Sequence, residues 1–204
     1  MKKIPTVFER QYENHKVVGI SDIFTNEKAE VAFLEGEATI KWDGSCCAII
    51  NGELYKRYDA KKGKKPPQGA IPCCEADPIT GHHPHWVKCD PFNPDDKWFW
   101  KAFETLQNAC VECVPKPPYF DGCKTRIWDG TYEAIGEHFQ GNPYNVEGDL
   151  LIRHGDTIVN DVPRTFDGVR RWLEAHYIEG LVFWMNEEPI AKIKRSDFGF
   201  PWNK

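Results

Sequence analysis

Asn51-Gly52 separates two short runs, Cys46-Cys47-Ala48-Ile49-Ile50 and Glu53-Leu54-Tyr55, and a two-residue Asn-Gly break between such runs is a strong hairpin signal. It commits this part of the chain to antiparallel strands. Just upstream, Ala38-Thr39-Ile40-Lys41-Trp42 reads as another strand that runs into Asp43-Gly44. Lys41 therefore falls at a strand end, two residues before a break. Alternation sends Trp42 to the side opposite Lys41, into packing.

The remaining segments supply helices and a second hairpin. From Lys64 to Pro94 the chain is rich in Pro, Gly, His and Cys and reads as a long loop or lid. Asp95-Asp96 can cap a helix that carries Trp100, Phe103 and Leu106 on one face. Thr165 or Asp167 can start another, with Phe166, Val169, Trp172, Leu173 and His176 at helical spacing. It leads into an apolar strand, Ile178 to Trp184, and Asn186-Glu187-Glu188-Pro189 turns the chain into a last strand, Ile190 to Arg195. With 204 residues, 41% hydrophobic and 28% charged, the chain can bury a full core. The expected architecture is one α+β domain spanning 1–204, with antiparallel sheets and flanking helices. Trp98, Trp100, Trp172 and Trp184 lie in helical or strand contexts and are expected in packing rather than on a base-stacking surface.

No apolar run approaches the ~20 residues needed to span a bilayer, and Met1-Lys2-Lys3-Ile4-Pro5 lacks a signal-peptide core. The eight cysteines then read as reduced thiols of a cytoplasmic protein, with no membrane partner, and a monomer is expected. A net charge of −5 argues against a nonspecific nucleic-acid coat. Even so, Lys56, Arg57, Lys61, Lys62, Lys64 and Lys65 crowd one segment, suited either to phosphates or to a solvated loop.

Lys192 and Lys194, two apart in the last strand, point to one face, next to Glu179 of the adjoining strand. The plain alternative is the solvated face of an edge strand. A lysine amine, with an ordinary pKa of about 10.4, is nucleophilic only when neutral, and nearby cations or desolvation disfavour its charge. Such an amine can attack a nucleotide α-phosphate, releasing pyrophosphate. Lys192, Lys194 and Arg57 are suited to the phosphate charge, Glu179 to Mg²⁺ or Mn²⁺ directly or through water, and Glu133 to a ribose hydroxyl.

Lys41-Trp42-Asp43-Gly44, followed in order by Glu133, Glu179, and Lys192 with Lys194, resembles the ATP-dependent polynucleotide ligase and capping-enzyme superfamily of covalent nucleotidyltransferases. Thr131-Tyr132-Glu133-Ala134-Ile135-Gly136 with Gly141-Asn142-Pro143-Tyr144 is similar to the RNA-ligase form of the third motif. Lys41 to Cys47, Gly141-Asn142-Pro143-Tyr144, Arg153-His154-Gly155 and Ile178-Glu179-Gly180 are similar to the vertebrate-type 5′-3′ RNA ligase family, over most of Glu37 to Trp202. The resemblance implies a ligase-type nucleotidyltransferase (ATP-grasp-like) fold and a three-step reaction. Lys41 is adenylylated by ATP, AMP passes to an RNA 5′-phosphate, and a 3′-hydroxyl displaces AMP to repair the strand. Arg57 would contact the AMP ribose and phosphate, Glu133 the ribose, Lys192 and Lys194 the phosphates, and Glu179 the metal. Leu150-Leu151-Ile152 would stand where relatives stack a side chain on adenine. Ile40 departs from the glutamate common before the nucleophile. With Lys204 so soon after the last motif, no C-terminal oligonucleotide-binding barrel is expected, which counts against capping enzymes and DNA ligases.

Two other readings are open. A noncatalytic RNA-binding module could keep a ligase fold, though binding alone needs no unprotonated lysine. A zinc protein could be built on Cys73, Cys74, His82, His83, His85 and Cys89, or on Cys110, Cys113 and Cys123, although the spacing matches no regular finger. His154 is expected in a structural role rather than as a general base.

Overall fold

The structure, a computed structural model, describes residues 3–14, 16–61, 63–78, 80–112 and 129–202. It is α+β, with antiparallel sheets and few helices. The chain clusters into two compact units: a split unit of Lys3–Asp43 with Gly155–Lys204, and an inserted unit containing Gly44–His154. Among the described residues no helix is long and apolar enough to cross a membrane.

The split unit begins with a hairpin of β1 (Phe8–Glu13) and β2 (Lys16–Phe24), then α1 (Glu27–Glu35) and β3 (Glu37–Lys41). Its return segment carries α3 (Phe166–Ala175), β10 (Gly180–Met185) and β11 (Glu188–Lys194). The three-stranded sheet runs β11-β10-β3, with Lys41 and Lys194 both opposite Gly180, and Thr39 and Lys192 both opposite Val182. Alternation gives this sheet two unlike faces. Leu181, Phe183, Ala191 and Ile193 are buried against Ala32 and Phe33 of α1 and Val169 and Leu173 of α3. The opposite face carries the lysines. The outer side of β11 is no open edge, because Val7 donates to the Lys192 carbonyl at 2.8 Å and Lys192 donates to Pro5 at 3.0 Å.

Local chemistry explains the ends of α3. Thr165 is the N-cap, its side chain accepting from the Gly168 amide at 3.2 Å. At the other end the buried Arg195 guanidinium donates to the carbonyls of Leu173, Glu174 and His176, satisfying acceptors that a helix terminus leaves open. His176 is the exposed C-cap, stacked on Trp172, and not part of the buried stripe.

The inserted unit is a six-stranded antiparallel sheet, β6-β7-β5-β4-β8-β9, with α2 (Lys97–Glu112). Its strands are β4 (Ser45–Ile50), β5 (Glu53–Ala60), β6 (Ile71–Pro72), β7 (His83–Lys88), β8 (Gly130–Gly136) and β9 (Asp149–Arg153). Asn51 and Gly52 both adopt positive φ in the β4–β5 turn, the geometry that makes Asn-Gly a hairpin signal. Ala102 and Phe103 of α2 pack with Cys47, Ile49, Leu54, Tyr132, Ala134 and Leu151, which lie on one face of the sheet.

Two expectations are corrected here. The segment from Lys64 to Pro94 is not one long loop: β7 pairs with β5 from Tyr55↔Lys88 to Ala60↔His83, and β6 adds to its other side. Asp95-Asp96 is not the helix cap. Asn93 accepts from the Asp95 amide before a short 3₁₀ turn, and Asp96 is buried, taking the Lys56 ammonium and the Asp90 amide. Lys56 is thereby committed to an internal ion pair, on the α2 side of the sheet. Lys62, Cys113, Cys123 and the Cys110 side chain lie outside the described residues.

Candidate functional site

Glu179, immediately before β10 and 5% exposed, organises the lysine face of the split unit. The Lys41 ammonium donates to its Oε2 at 2.5 Å, and the Lys194 ammonium donates to Oε1. Lys192 lies beside them. Its amine is pulled down to about 8, first by burial and then by the positive charges of Lys41, Lys194 and Arg10, with Glu179 opposing. Three lysines thus converge around one buried carboxylate.

The backbone makes this convergence possible. A Cβ on Gly180 would run into the Ile193 carbonyl, so only glycine lets Gly180 and Lys194 close up beside Lys41. Asp197 accepts both the Lys194 amide at 2.8 Å and the Arg10 guanidinium at 2.8 and 3.1 Å, which ties the first strand to the end of the last. Trp202 Nε1 donates to Asp43 Oδ2 at 2.7 Å, fixing the aspartate two residues after Lys41. Trp42 donates to Thr157 Oγ1 at 3.2 Å. Nothing in the sequence singles out Arg10 or Asp197. Each sits among other charges, Arg10 beside Glu9 and Asp197 after Lys194 and Arg195, with no local pattern to mark it.

On the inserted unit, Glu133 lies on the sheet face opposite α2. Gly44 donates its amide to Glu133 Oε1 at 3.1 Å, and a Cβ on Gly44 would collide with the Ala134 carbonyl. Glu133 Oε2 is 2.9 Å from His154 Nε2, and the other ring nitrogen is 2.9 Å from Thr131 Oγ1. Cys46 is the register partner of Glu133. Burial, then the Glu133 charge, pushes the Cys46 thiol up to about 12, with Arg57 opposing. Arg57 also donates to Asp59 Oδ1 at 2.9 Å.

No family model matches this chain, and no curated protein matches it either.

The structure brings Lys41, Glu179, Lys192 and Lys194 together on the split unit. It places Arg57, Cys46, Glu133 and His154 on one face of the inserted unit. Leu151 faces α2 and is buried, whereas Leu150 and Ile152 alternate to the Glu133 face, with Ile152 directly opposite Glu133. Among the described residues, no three ligands of the Cys73 to Cys89 segment converge as a metal site requires; the one trio that does is Cys46, Glu133 and His154. Trp98 is partly buried, stacked on His138 with ring centroids 3.3 Å apart, and His138 is held by the buried Asp149.

Proposed function

We propose that this protein is an ATP-dependent RNA ligase working through a lysyl-AMP on Lys41, and that its two units belong to a ligase-type nucleotidyltransferase fold. The observation that carries this is the meeting of Lys41, Lys192 and Lys194 around buried Glu179. Three cations on one face are costly to a fold unless an anionic group is received there, and a nucleotide's phosphates supply one. Unlike the bare Lys-x-Asp-Gly pattern, this arrangement unites residues 138 positions apart in the chain.

In the first step Lys41 sheds its ammonium proton to solvent and leaves Glu179 Oε2. Its amine attacks the α-phosphorus of ATP, the N–P bond forms, and the bond to the bridging oxygen breaks to release pyrophosphate. Lys192 and Lys194 offset the charge that builds on the α-phosphate oxygens. Once Lys41 is neutral and has left Glu179, Oε2 is open to another cation. The residues therefore fit Mg²⁺ or Mn²⁺ held through Glu179, directly or through water, which would neutralise phosphate charge. Next, an RNA 5′-phosphate oxygen attacks the AMP phosphorus, the N–P bond breaks, and the Lys41 nitrogen takes a proton from solvent and returns as the amine. A 3′-hydroxyl then attacks the 5′-phosphorus of that RNA-adenylate, losing its proton to solvent, forming the phosphodiester and releasing AMP. Under the same reading Glu133 receives the ribose hydroxyls and Arg57 the ribose and phosphate.

The test is incubation with α-labelled ATP and Mg²⁺, without RNA. Acid-labile label on the wild-type chain and none on Lys41→Ala is expected, with the label chased into 5′-phosphorylated RNA. An unlabelled wild type, with intact mass excluding prior adenylylation and Mn²⁺ and GTP also tried, would reject the mechanism and leave the noncatalytic RNA-binding module.

A further inference from the structure

The inserted unit gathers three unlike metal-ligating side chains on one sheet face. Cys46 of β4 and Glu133 of β8 are register partners, and His154 directly follows β9. One ligand atom from each lies within 4.8 Å of the other two. Ligand atoms of a tetrahedral zinc site sit about 3.3–3.6 Å apart, so modest side-chain adjustment closes the set.

Glu133 and His154 are also oriented by second groups, as metal ligands characteristically are. The Gly44 amide holds Glu133 Oε1, which leaves Oε2 toward His154. Thr131 Oγ1 engages His154 Nδ1 and thereby directs Nε2 at the carboxylate. Near Cys46 stands the Arg57 guanidinium, whose positive charge favours the thiolate that a metal would take. Between Nε2 and Oε2, 2.9 Å apart, there must be a proton or a cation, since two lone pairs would repel. If a cation replaces that proton, the imidazole can keep the other tautomer, with Nδ1–H donating to Thr131.

We propose that Cys46, Glu133 and His154 form a Zn²⁺ site, with water in the fourth position. Sulfur, imidazole and carboxylate together suit zinc, whereas Mg²⁺ and Ca²⁺ take oxygen ligands. Binding releases the Cys46 thiol proton to solvent. A regulatory consequence follows that, unlike the site itself, rests on the proposed function: one carboxylate cannot hold zinc and a ribose together, so zinc excludes the nucleoside from Glu133.

Co²⁺, a spectroscopic stand-in for Zn²⁺, is titrated into the full chain, and its tetrahedral and thiolate charge-transfer bands are followed. One equivalent is expected, displaced by Zn²⁺. Cys46→Ser should lose the charge-transfer band, and Thr131→Val, which keeps all three ligands, should weaken affinity about 10–100-fold. Serine at Cys73, Cys74, Cys110, Cys113 and Cys123 should leave the band in place. Thermal melts of the metal-free variants establish that each is folded, and Thr131→Val carries the test should Cys46→Ser fail to fold. An unchanged spectrum in Cys46→Ser, unchanged affinity in Thr131→Val, or loss of the band with the five serines overturns the site. Lys41→Ala should bind Co²⁺ normally, so a failure of the adenylylation test leaves this measurement intact. Adenosine, which carries a ribose but no chelating phosphates, should raise the apparent Kd for Co²⁺, and no change would overturn the exclusion.

Discussion

Lys192 sits on the lysine face of β11 with its amine pulled down to about 8, burial contributing most and Lys41, Lys194 and Arg10 the rest. An unfolded lysine titrates near 10.4. Below pH 8 both states hold the proton, and the folded chain bears the full cost of a crowded, desolvated ammonium. Between about pH 8 and 10.4 the folded state has released the proton while the unfolded state retains it, so this contribution to stability rises with pH. Lys192→Met, which keeps the aliphatic stem, should therefore be more stable than wild type at pH 7, by up to about 3 kcal/mol. That advantage should shrink by pH 9.5, and adenylylation should be lost at both. Guanidinium unfolding at the two pH values checks this; an advantage independent of pH would refute it.

At the scale of elements, Gly180 pairs with both β3 and β11, and its pairing with β11 depends on the lack of a side chain. Gly180→Ala would push against the Ile193 carbonyl and should cost about 1–3 kcal/mol, with adenylylation falling alongside stability as Lys41 and Lys194 separate. Equilibrium unfolding and label incorporation measure the two effects. A second expectation concerns β7: amides of His83 to Lys88 that bond to β5 should exchange with deuterium as slowly as those of β4, and exchange at loop rates would restore the lid reading. The elements legible in the sequence were those written in local chemistry. Asn51-Gly52 sets its own turn, Thr165 caps its own helix, and Lys192 and Lys194 share a face by strand alternation alone. β7 was hidden because His83-Pro84-His85 looks like loop composition and becomes a strand only through pairing with β5. Asp96 resembled an exposed cap for a similar reason, since its partner Lys56 lies 40 residues away. The grouping of Cys46, Glu133 and His154 depends on the register of three strands, which no single stretch of chain encodes.

Across the whole molecule, each unit has its own apolar core. Phe33 and Phe183 meet edge to face with centroids 5.2 Å apart in the split unit, while Ile49, Leu54 and Phe103 belong to the inserted unit. Phe183→Ala should cost about 3–5 kcal/mol and lower amide protection in β3, β10 and β11 more than in β4 and β5. Equal loss in both units, read by hydrogen exchange, would show that the cores do not act separately. The order of the strands also has a consequence during synthesis. Every strand of the inserted sheet lies within 44–154, so that sheet has all its partners once this stretch has left the ribosome. β3 instead pairs with β10 and bridges to residues around Ile158, all made later, and Lys41 precedes Glu179 by 138 residues. At ordinary elongation rates of about 5–20 residues per second, β3 waits roughly 7–30 s for its partners. A ribosome that stalls in that interval holds a chain with a finished insert and an unpaired strand, a natural client for a chaperone.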